Sequence, residues 1–293
     1  MSTLHESILA YRGRRWLWAA LVLTAGCVVA YAWHDPVEPP NGGTVLGYTL
    51  GAVGALLILV LLGFGVRKRS YASELGTVQG WLSAHVYLGT ALVVVVTLHT
   101  GFQFGWNIHT LAYALMCLVI ASGMVGTWFY LTNPARMNAN RAGSNRDLML
   151  LEVADLDQKA VRLARELPPE FGELVASNRD RQALGGGPLD LLRGSDRSRI
   201  VLPGNGAPVP NAGHGAVLAW IGDRLARNTD GAIGPRIQDL LTLMGARKVA
   251  VDRLRRDLRL QAWLDVWLYF HVPVAFALLA ALIAHVVSVF VYW

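Results

Sequence analysis

Long apolar runs alternate with short polar stretches along much of this chain. A membrane-spanning helix needs about 20 mainly apolar residues to cross about 30 Å of hydrocarbon. Five runs meet that length, and they predict membrane helices at about 16–33, 44–66, 80–100, 109–131 and 263–293. Tryptophans fall near the ends of these runs. Because indole rings favour the headgroup layer, their placement supports the predicted boundaries.

The first apolar run has a second interpretation, as a secretory signal peptide. It begins with basic residues, and the string 24–27, ending at Cys27, faintly resembles a lipoprotein cleavage site. A leucine is usual where Thr24 stands, however, and the apolar run continues past Cys27 to Tyr31. These two departures favour an uncleaved membrane helix.

The remaining polar sequence lies mostly between the fourth and fifth runs. The chain is therefore expected to be an all-α integral membrane protein with membrane helices one to four at 1–131, a cytoplasmic insert at 132–262, and helix five at 263–293 completing the bundle. Asn133-Pro134 predicts the end of helix four, because a proline disfavours helical backbone in the residue before it.

Within the insert, the pattern predicts two long helices. The string 144–147 resembles a capping box for a helix that runs to about 167, where Pro168-Pro169 interrupts it. The stretch 185–210 is rich in Gly and Pro and predicts an irregular loop. A second helix, from about 235, is expected to continue into helix five. The insert is thus predicted to be a solvated helical hairpin, with no catalytic site.

Composition and charge agree with a membrane protein and indicate its orientation. Apolar residues make up 54% of the chain and charged residues only 16%, with a net charge of +6. Basic proteins often bind nucleic acid, but here every Lys and Arg lies on one side of the predicted spans, and the opposite loops at 34–43 and 101–108 have none. The positive-inside rule then places the N-terminus in the cytoplasm and the C-terminus in the periplasm of a bacterial inner membrane, with lipid and not nucleic acid as partner.

Several cofactor motifs are absent from the sequence. Its two cysteines, Cys27 and Cys117, lie in apolar runs, and there is no C-x-x-C-H, Walker or G-x-G-x-x-G motif. The sequence therefore gives no indication of a disulfide framework, covalent haem, cysteine-ligated cluster or dinucleotide-binding domain.

Four histidines inside predicted membrane helices are the candidate metal-binding residues. His85 and His99 lie on helix three, and 14 positions also separate His271 from His285 on helix five. Fourteen residues fall about 40° short of four full helical turns and rise about 21 Å, so each pair shares nearly one face. Because both helices run outward, one histidine of each helix meets its counterpart near the inner leaflet and the other near the outer leaflet.

Two facing imidazoles at each depth predict two six-coordinate haem irons. The inner iron would be held by His85 and His271 and the outer iron by His99 and His285, about 20 Å apart. For any single buried histidine, an interhelical hydrogen bond is the simpler interpretation. Two pairs of identical spacing on co-oriented helices favour haem, since ionisable groups at membrane depth usually mark function.

Residues near these pairs support the prediction without deciding it. Small residues that permit close approach of helices or of a flat macrocycle are Gly89, Ala121, Ser122, Gly123 and Gly126. His109 and His34, near the outer surface, are candidates for contacting a haem propionate, a quinol or lipid headgroups. Arg12, Arg14, Arg15, Arg67 and Arg69 are candidates to neutralise inner propionates, although topology alone explains them. His5 and His214 are expected at solvated surfaces.

The paired histidines resemble the transmembrane cytochrome domain of ferric reductases and NADPH oxidases. That family binds two stacked haems through histidine pairs on its third and fifth spans, and the resemblance implies that these four histidines are axial ligands. The chain departs from it by lacking a sixth span and the fused flavin and nicotinamide domains, and by its long insert. It is also loosely similar to bacterial b561-type and quinol-linked cytochrome b subunits.

The expected function is electron transfer across the membrane by two non-covalent b-type haems. The expected partners are a cytoplasmic flavoprotein or iron–sulfur protein and a periplasmic acceptor such as a c-type cytochrome, a metal ion or quinone. The chain would then be a subunit of an oxidoreductase complex. Two alternatives stay open: a quinol-oxidising or quinone-reducing cytochrome b subunit with its quinone site near His109, and a haem-free membrane scaffold or transporter.

Overall fold

The computed structural model describes residues 7–36, 39–70, 74–141 and 143–291. His5 and Trp293, both named from the sequence, lie outside these ranges. The described chain is almost entirely helical, apart from a two-stranded sheet. The helices are α1 Tyr11–Trp33, α2 Val45–Arg69, α3 Val78–Thr100, α4 Ile108–Arg141, α5 Arg146–Ala164, α6 Pro169–Asp180, α7 Pro188–Arg193, α8 Gly215–Arg227 and α9 Gly234–Val291.

Five of the described helices are long and apolar enough to cross a membrane, which confirms that the five predicted apolar runs form long helices. They are α1 to α4 and α9. Thr44 and Thr77 cap α2 and α3, accepting hydrogen bonds from the backbone N–H groups of Gly47 and Gly80. A threonine side chain in this position satisfies an N–H group that the helix itself leaves without an acceptor.

The first helix begins irregularly. Arg12, Gly13 and Arg14 have φ angles of 44°, 69° and 62°, so the regular helix follows them. Tyr11 fixes this entry, because its hydroxyl lies 2.9 Å from Oγ1 of Thr77 and its ring lies against Gly80 at the start of α3.

The prediction that Asn133-Pro134 ends the fourth helix was wrong. α4 contains Pro134 and continues to Arg141. A proline removes one intrahelical hydrogen bond but still fits where other contacts hold the helix. Asn140 supplies one such contact, donating from Nδ2 to the carbonyl of Arg253 at 2.8 Å, and Arg141 binds Asp257.

The chain divides into two compact units. Unit 1 comprises Met1–Trp128 and Trp267–Trp293, and unit 2 comprises Phe129–Val266. In unit 1, α3 packs against α2 and α1, and one buried cluster contains Leu50, Val95 and Leu98. A second cluster joins Ile58, Leu92, Met116 and Leu278. Many large apolar side chains on these helices remain exposed, as expected of surfaces that face lipid.

Unit 2 has its own hydrophobic core and is more elaborate than a hairpin. Strand β1 (Arg199–Val201) pairs antiparallel with β2 (Pro208–Pro210), with Ile200 opposite Val209. The core combines residues from α5, α6, the turn between them, β1, α8 and α9, namely Ala160, Ala164, Leu167, Phe171, Leu174, Val175, Ile200, Val217, Ile221, Ile237, Leu240 and Met244. Buried apolar area of this kind stabilises a fold by about 25 cal/mol per Å².

Three details of the predicted insert differ from the structure. The stretch 185–210 is not an irregular loop, because it contains α7 and both strands. The cap of α5 is Asn145, whose Oδ1 accepts from the N–H of Leu148 at 2.8 Å. Pro169 does not merely interrupt a helix, since it opens α6, where the missing N–H of proline costs nothing.

Candidate functional site: paired histidines within the apolar helices

The outer histidines predicted as a pair lie together in unit 1. The ring centres of His99 on α3 and His285 on α9 are 6.0 Å apart, with the rings nearly perpendicular. A metal ion between two imidazoles, each bonded at about 2 Å, would separate the ring centres by about 6 Å. The described distance therefore suits a shared ion.

The inner histidines line one cavity. His85 on α3 and His271 on α9 both border a space of about 100 Å³ whose walls are almost entirely apolar. Gly89, Gly123 and Ala275 also line it. Small side chains there leave room beside the imidazoles, as was expected of Gly89 and Gly123 from the sequence.

Backbone carbonyls of α2 orient both histidines of α3. Nδ1 of His85 lies 3.1 Å from the carbonyl oxygen of Leu61, and Nδ1 of His99 lies 2.7 Å from that of Gly47. A carbonyl oxygen only accepts, so each Nδ1 must carry the hydrogen. In a neutral imidazole this leaves Nε2 with its lone pair available to a metal.

Ser122 on α4 orients His271 in the same way. Its Oγ donates to the carbonyl of Val119 at 2.8 Å and lies 2.7 Å from Nδ1 of His271. Because the hydroxyl hydrogen is already used, Oγ accepts here and His271 donates from Nδ1. Nε2 of His271 is again the nitrogen with a free lone pair.

His285 has a histidine as its Nδ1 partner. Nδ1 of His109 lies 2.5 Å from Nδ1 of His285, and the two rings are nearly perpendicular. One of these nitrogens must donate and the other must accept. If His109 accepts, His285 donates from Nδ1 and its Nε2 keeps the lone pair, as in the other three histidines. Within the described part of the chain, Nε2 of all four histidines has no hydrogen bond.

Close packing around the rings explains several small residues. A Cβ on Gly51 of α2 would lie 2.8 Å from Cε1 of His99, and one on Gly126 would lie 1.9 Å from Cζ2 of Trp267. Trp267 in turn packs against His271, with ring centres 5.3 Å apart, and donates from Nε1 to the carbonyl of Ser122 at 2.8 Å. Glycine is required at both positions because any side chain would displace an aromatic ring.

The sequence analysis did not identify α2 as the helix that orients His85 and His99. The glycines Gly47, Gly51 and Gly54, spaced three or four residues apart, were the available signal, since such spacing lets membrane helices approach closely. It also named Ser122 only as a small residue. Trp267 was not identified at all.

The other candidate residues have different outcomes. His34 has a buried Nε2 without a hydrogen-bond partner among the described residues. Arg67 donates to the backbone carbonyls of Ser70 and Gly76. Across the described ranges, no group of three or more His, Cys, Asp or Glu side chains is arranged to hold a metal ion.

The expectation that His214 lies at a solvated surface was wrong. His214 is fully buried in unit 2, and its Nε2 accepts from Nη1 of Arg247 at 2.6 Å. Arg247 is itself buried and also donates to Asp157 and Gln182. One guanidinium therefore supplies the buried imidazole with a hydrogen-bond donor. Burial, followed by the charge of Arg247, lowers the pKa of His214 to about 4.

One buried carboxylate joins three elements of unit 2. Asp257 on α9 is fully buried and accepts from Arg141 of α4 at 2.6 Å and from Arg146 of α5 at 3.0 Å. Two guanidinium groups thus surround one carboxylate. Asp257, which has no evident partner in the sequence, therefore links α4, α5 and α9.

No protein-family model matches this chain, and neither the curated proteins nor the solved structures contain a significant match to it.

Proposed function

We propose that this chain is a membrane-spanning b-type cytochrome that holds two haems on four histidines and transfers electrons across the membrane. The observation that carries the proposal is the hydrogen bonding of Nδ1. Three of the four imidazoles donate from Nδ1 to an oxygen of a neighbouring helix, and Nε2 is left free in an apolar setting. Metal-binding histidines characteristically have this support, because the bond fixes ring orientation and tautomer.

The donor set fits haem better than it fits zinc or another small ion. A structural zinc site takes four ligands and a catalytic one usually three, whereas two axial imidazoles complete a haem iron. When bound, haem would supply one-electron redox chemistry. The chain's own residues would hold it through Nε2, orient the rings, and exclude water with apolar walls such as those of Leu61, Leu92 and Met116.

Two separate sites support transfer over a membrane distance and not only local storage. His85 and His99 lie on one continuous helix, which places the two sites about 20 Å apart along it. The distribution of Lys and Arg favours a cytoplasmic N-terminus in a bacterial inner membrane. The chain would then connect a cytoplasmic flavoprotein or iron–sulfur protein with a periplasmic c-type cytochrome, metal ion or quinone.

A quinol-linked cytochrome b subunit is the second candidate. His109 favours it, because this exposed histidine bonds directly to His285 and so connects the outer pair with the surface. A quinol hydroxyl bonded to His109 would lie one side chain from the outer site. Reduction by a quinol analogue alone, without a soluble protein, would distinguish this function from transfer between two protein partners.

The test is a dithionite-minus-air visible spectrum of the purified chain in detergent, with a pyridine haemochrome count. Two b-type haems per chain are expected. A single haem would mean that one of the pairs does not bind iron, and His109 would then be tested as a ligand. Folded but colourless protein would overturn the proposal and favour a haem-free scaffold.

A further inference from the structure

A groove in unit 2 is separate from the histidine pairs. It lies between the C-terminal half of α5 and the outer face of α6, with a volume of about 440 Å³. Its lining residues are Val161, Ala164, Arg165, Leu167, Pro169, Gly172, Ala176 and Arg179. The floor is therefore apolar and made largely of small side chains.

Gly172 lines the groove and has open space at its Cβ position. A Cβ built on this glycine meets no atom within 4 Å, although Gly172 lies inside α6. Along α6, the lining residues Pro169, Gly172, Ala176 and Arg179 recur every three or four positions. From Pro169 to Arg179 this face is about 15 Å long, which corresponds to about three turns of a bound helix.

The charges that line the groove are positive. Arg165 and Arg179 line it, and none of the described lining residues is acidic. Among the carboxylates of this region, Glu166 pairs with Arg236 and Glu170 pairs with Arg224, whereas Glu173 of α6 is exposed and does not line the groove. Arg179 pairs with its sequence neighbour Asp180, but both side chains are at least half exposed and such pairs are weak, so an incoming carboxylate can replace that bond.

We infer that this groove binds an acidic amphipathic helix of the cytoplasmic redox partner. The apolar floor accepts apolar side chains spaced three or four residues apart, which is how helices bind in grooves. Arg165 and Arg179 would pair with carboxylates beside that apolar face, because the guanidinium fork matches carboxylate geometry. The identity of the partner as an electron donor or acceptor rests on the proposed function; the binding chemistry does not.

Filling the groove provides the sharpest test. Gly172→Leu adds a side chain into open space within a helix, so it should block the groove while leaving the fold intact. Gly222→Leu is the matched control, since Gly222 also lies inside a helix, α8, with no atom within 4 Å of its Cβ position. Arg165→Gln with Arg179→Gln removes the two charges without reversing them.

The probe is a fluorescent helical peptide with leucines on one face and glutamates beside them, titrated against the full chain in zwitterionic nanodiscs. We expect Gly172→Leu to raise its Kd at least about tenfold, as losing a central contact does, and Gly222→Leu to leave it unchanged. The double Gln variant should flatten the salt dependence. Equal binding by wild type and Gly172→Leu would overturn the assignment, as would equal binding to empty nanodiscs.

The proposed haem function and the proposed helix binding can be refuted independently. The haem spectrum does not depend on the peptide, and peptide binding does not require haem. Stopped-flow reduction of the haems by a dithionite-reduced acidic [2Fe–2S] ferredoxin then tests both together. A rate that falls in Gly172→Leu but not in Gly222→Leu is expected, and equal rates in these two variants would overturn the role of the groove in electron delivery.

Discussion

Ser122 accepts a hydrogen bond at Oγ from Nδ1 of His271, 2.7 Å away, while its carbonyl accepts from Nε1 of Trp267. The side chain and backbone of one residue on α4 thereby hold two side chains one helical turn apart on α9. This relationship makes Ser122 a positioning residue for the inner pair. It would act on a bound haem iron only through the imidazole that it orients.

Replacing Ser122 with Ala removes the acceptor of the His271 hydrogen. Loss of such a supporting bond typically lowers metal affinity about 10- to 100-fold. We expect partial loss of the inner haem, together with shifts in its midpoint potential and in its low-spin EPR g values. Ser122→Thr, which keeps a hydroxyl, should restore all three.

Thr49→Val is the control for Ser122→Ala. Among the described residues, the Thr49 hydroxyl bonds only to the carbonyl of Val45 within its own helix, so its loss should leave the haem spectra unchanged. An Ser122→Ala protein with unaltered potential and EPR signals would refute the positioning role.

Removing an outer ligand should affect one site alone. We expect His99→Ala and His285→Ala each to bind one haem per chain in place of two, because the inner pair stays intact. The pyridine haemochrome count measures this result. His34→Ala serves as control and should keep both haems; retention of two haems in His99→Ala would refute the ligand assignment.

Gly126 tests the packing that supports His271. A Cβ at this position would lie 1.9 Å from Cζ2 of Trp267, so Gly126→Val must displace the indole. Such overpacking typically costs about 1–3 kcal/mol. We expect a lower thermal midpoint and reduced inner-haem content. Gly65→Val in α2, where a Cβ meets nothing within 4 Å, should change neither property.

Asp257 should be essential for the stability of unit 2. Asp257→Asn leaves the guanidinium groups of Arg141 and Arg146 without their carboxylate. Because these side chains are 25% and 36% exposed, water offsets part of the about 3–5 kcal/mol that losing one member of a fully buried pair costs. We expect a lower midpoint urea concentration for unfolding of unit 2, measured as protease cleavage within 129–266. Asp223→Asn, which removes an exposed pair with Arg227, should shift that midpoint little. Equal midpoints for the two variants would contradict the structural role of Asp257.

His214 should make the stability of unit 2 depend on pH. Its pKa in the folded state is about 4, below the unfolded value of about 6.5, so the unfolded state binds more protons between these values. The stability that neutral His214 adds to the folded state is therefore fully present above pH 6.5, falls as the pH drops, and is lost below about pH 4. It amounts to about 3 kcal/mol at most.

The matched variant for this pH effect is His214→Gln, which keeps an acceptor for Arg247 but does not titrate. The urea midpoint for cleavage within 129–266 should fall more steeply in wild type than in His214→Gln between pH 7 and 4.5. Parallel pH profiles for the two proteins would show that His214 does not contribute.

The sequence alone determined which parts of the chain can cross a membrane. Length and apolar character are local properties, and the described helices α1 to α4 and α9 cover nearly all of each predicted run. The equal spacing of His85–His99 and His271–His285 is also local, because helical rise and rotation follow directly from residue number. These features were therefore predictable before any contact was known.

Only the tertiary structure decided the features that depend on contacts between distant parts of the chain. The free nitrogen of each of three imidazoles depends on an acceptor from another helix, such as Gly47 for His99, 52 positions away in sequence. His214 is buried against Arg247, 33 positions away, and the part of α4 beyond Pro134 is bonded to Asp257 through Arg141. Propensity and periodicity carry no information about such partners, since each contact forms only when distant segments fold together.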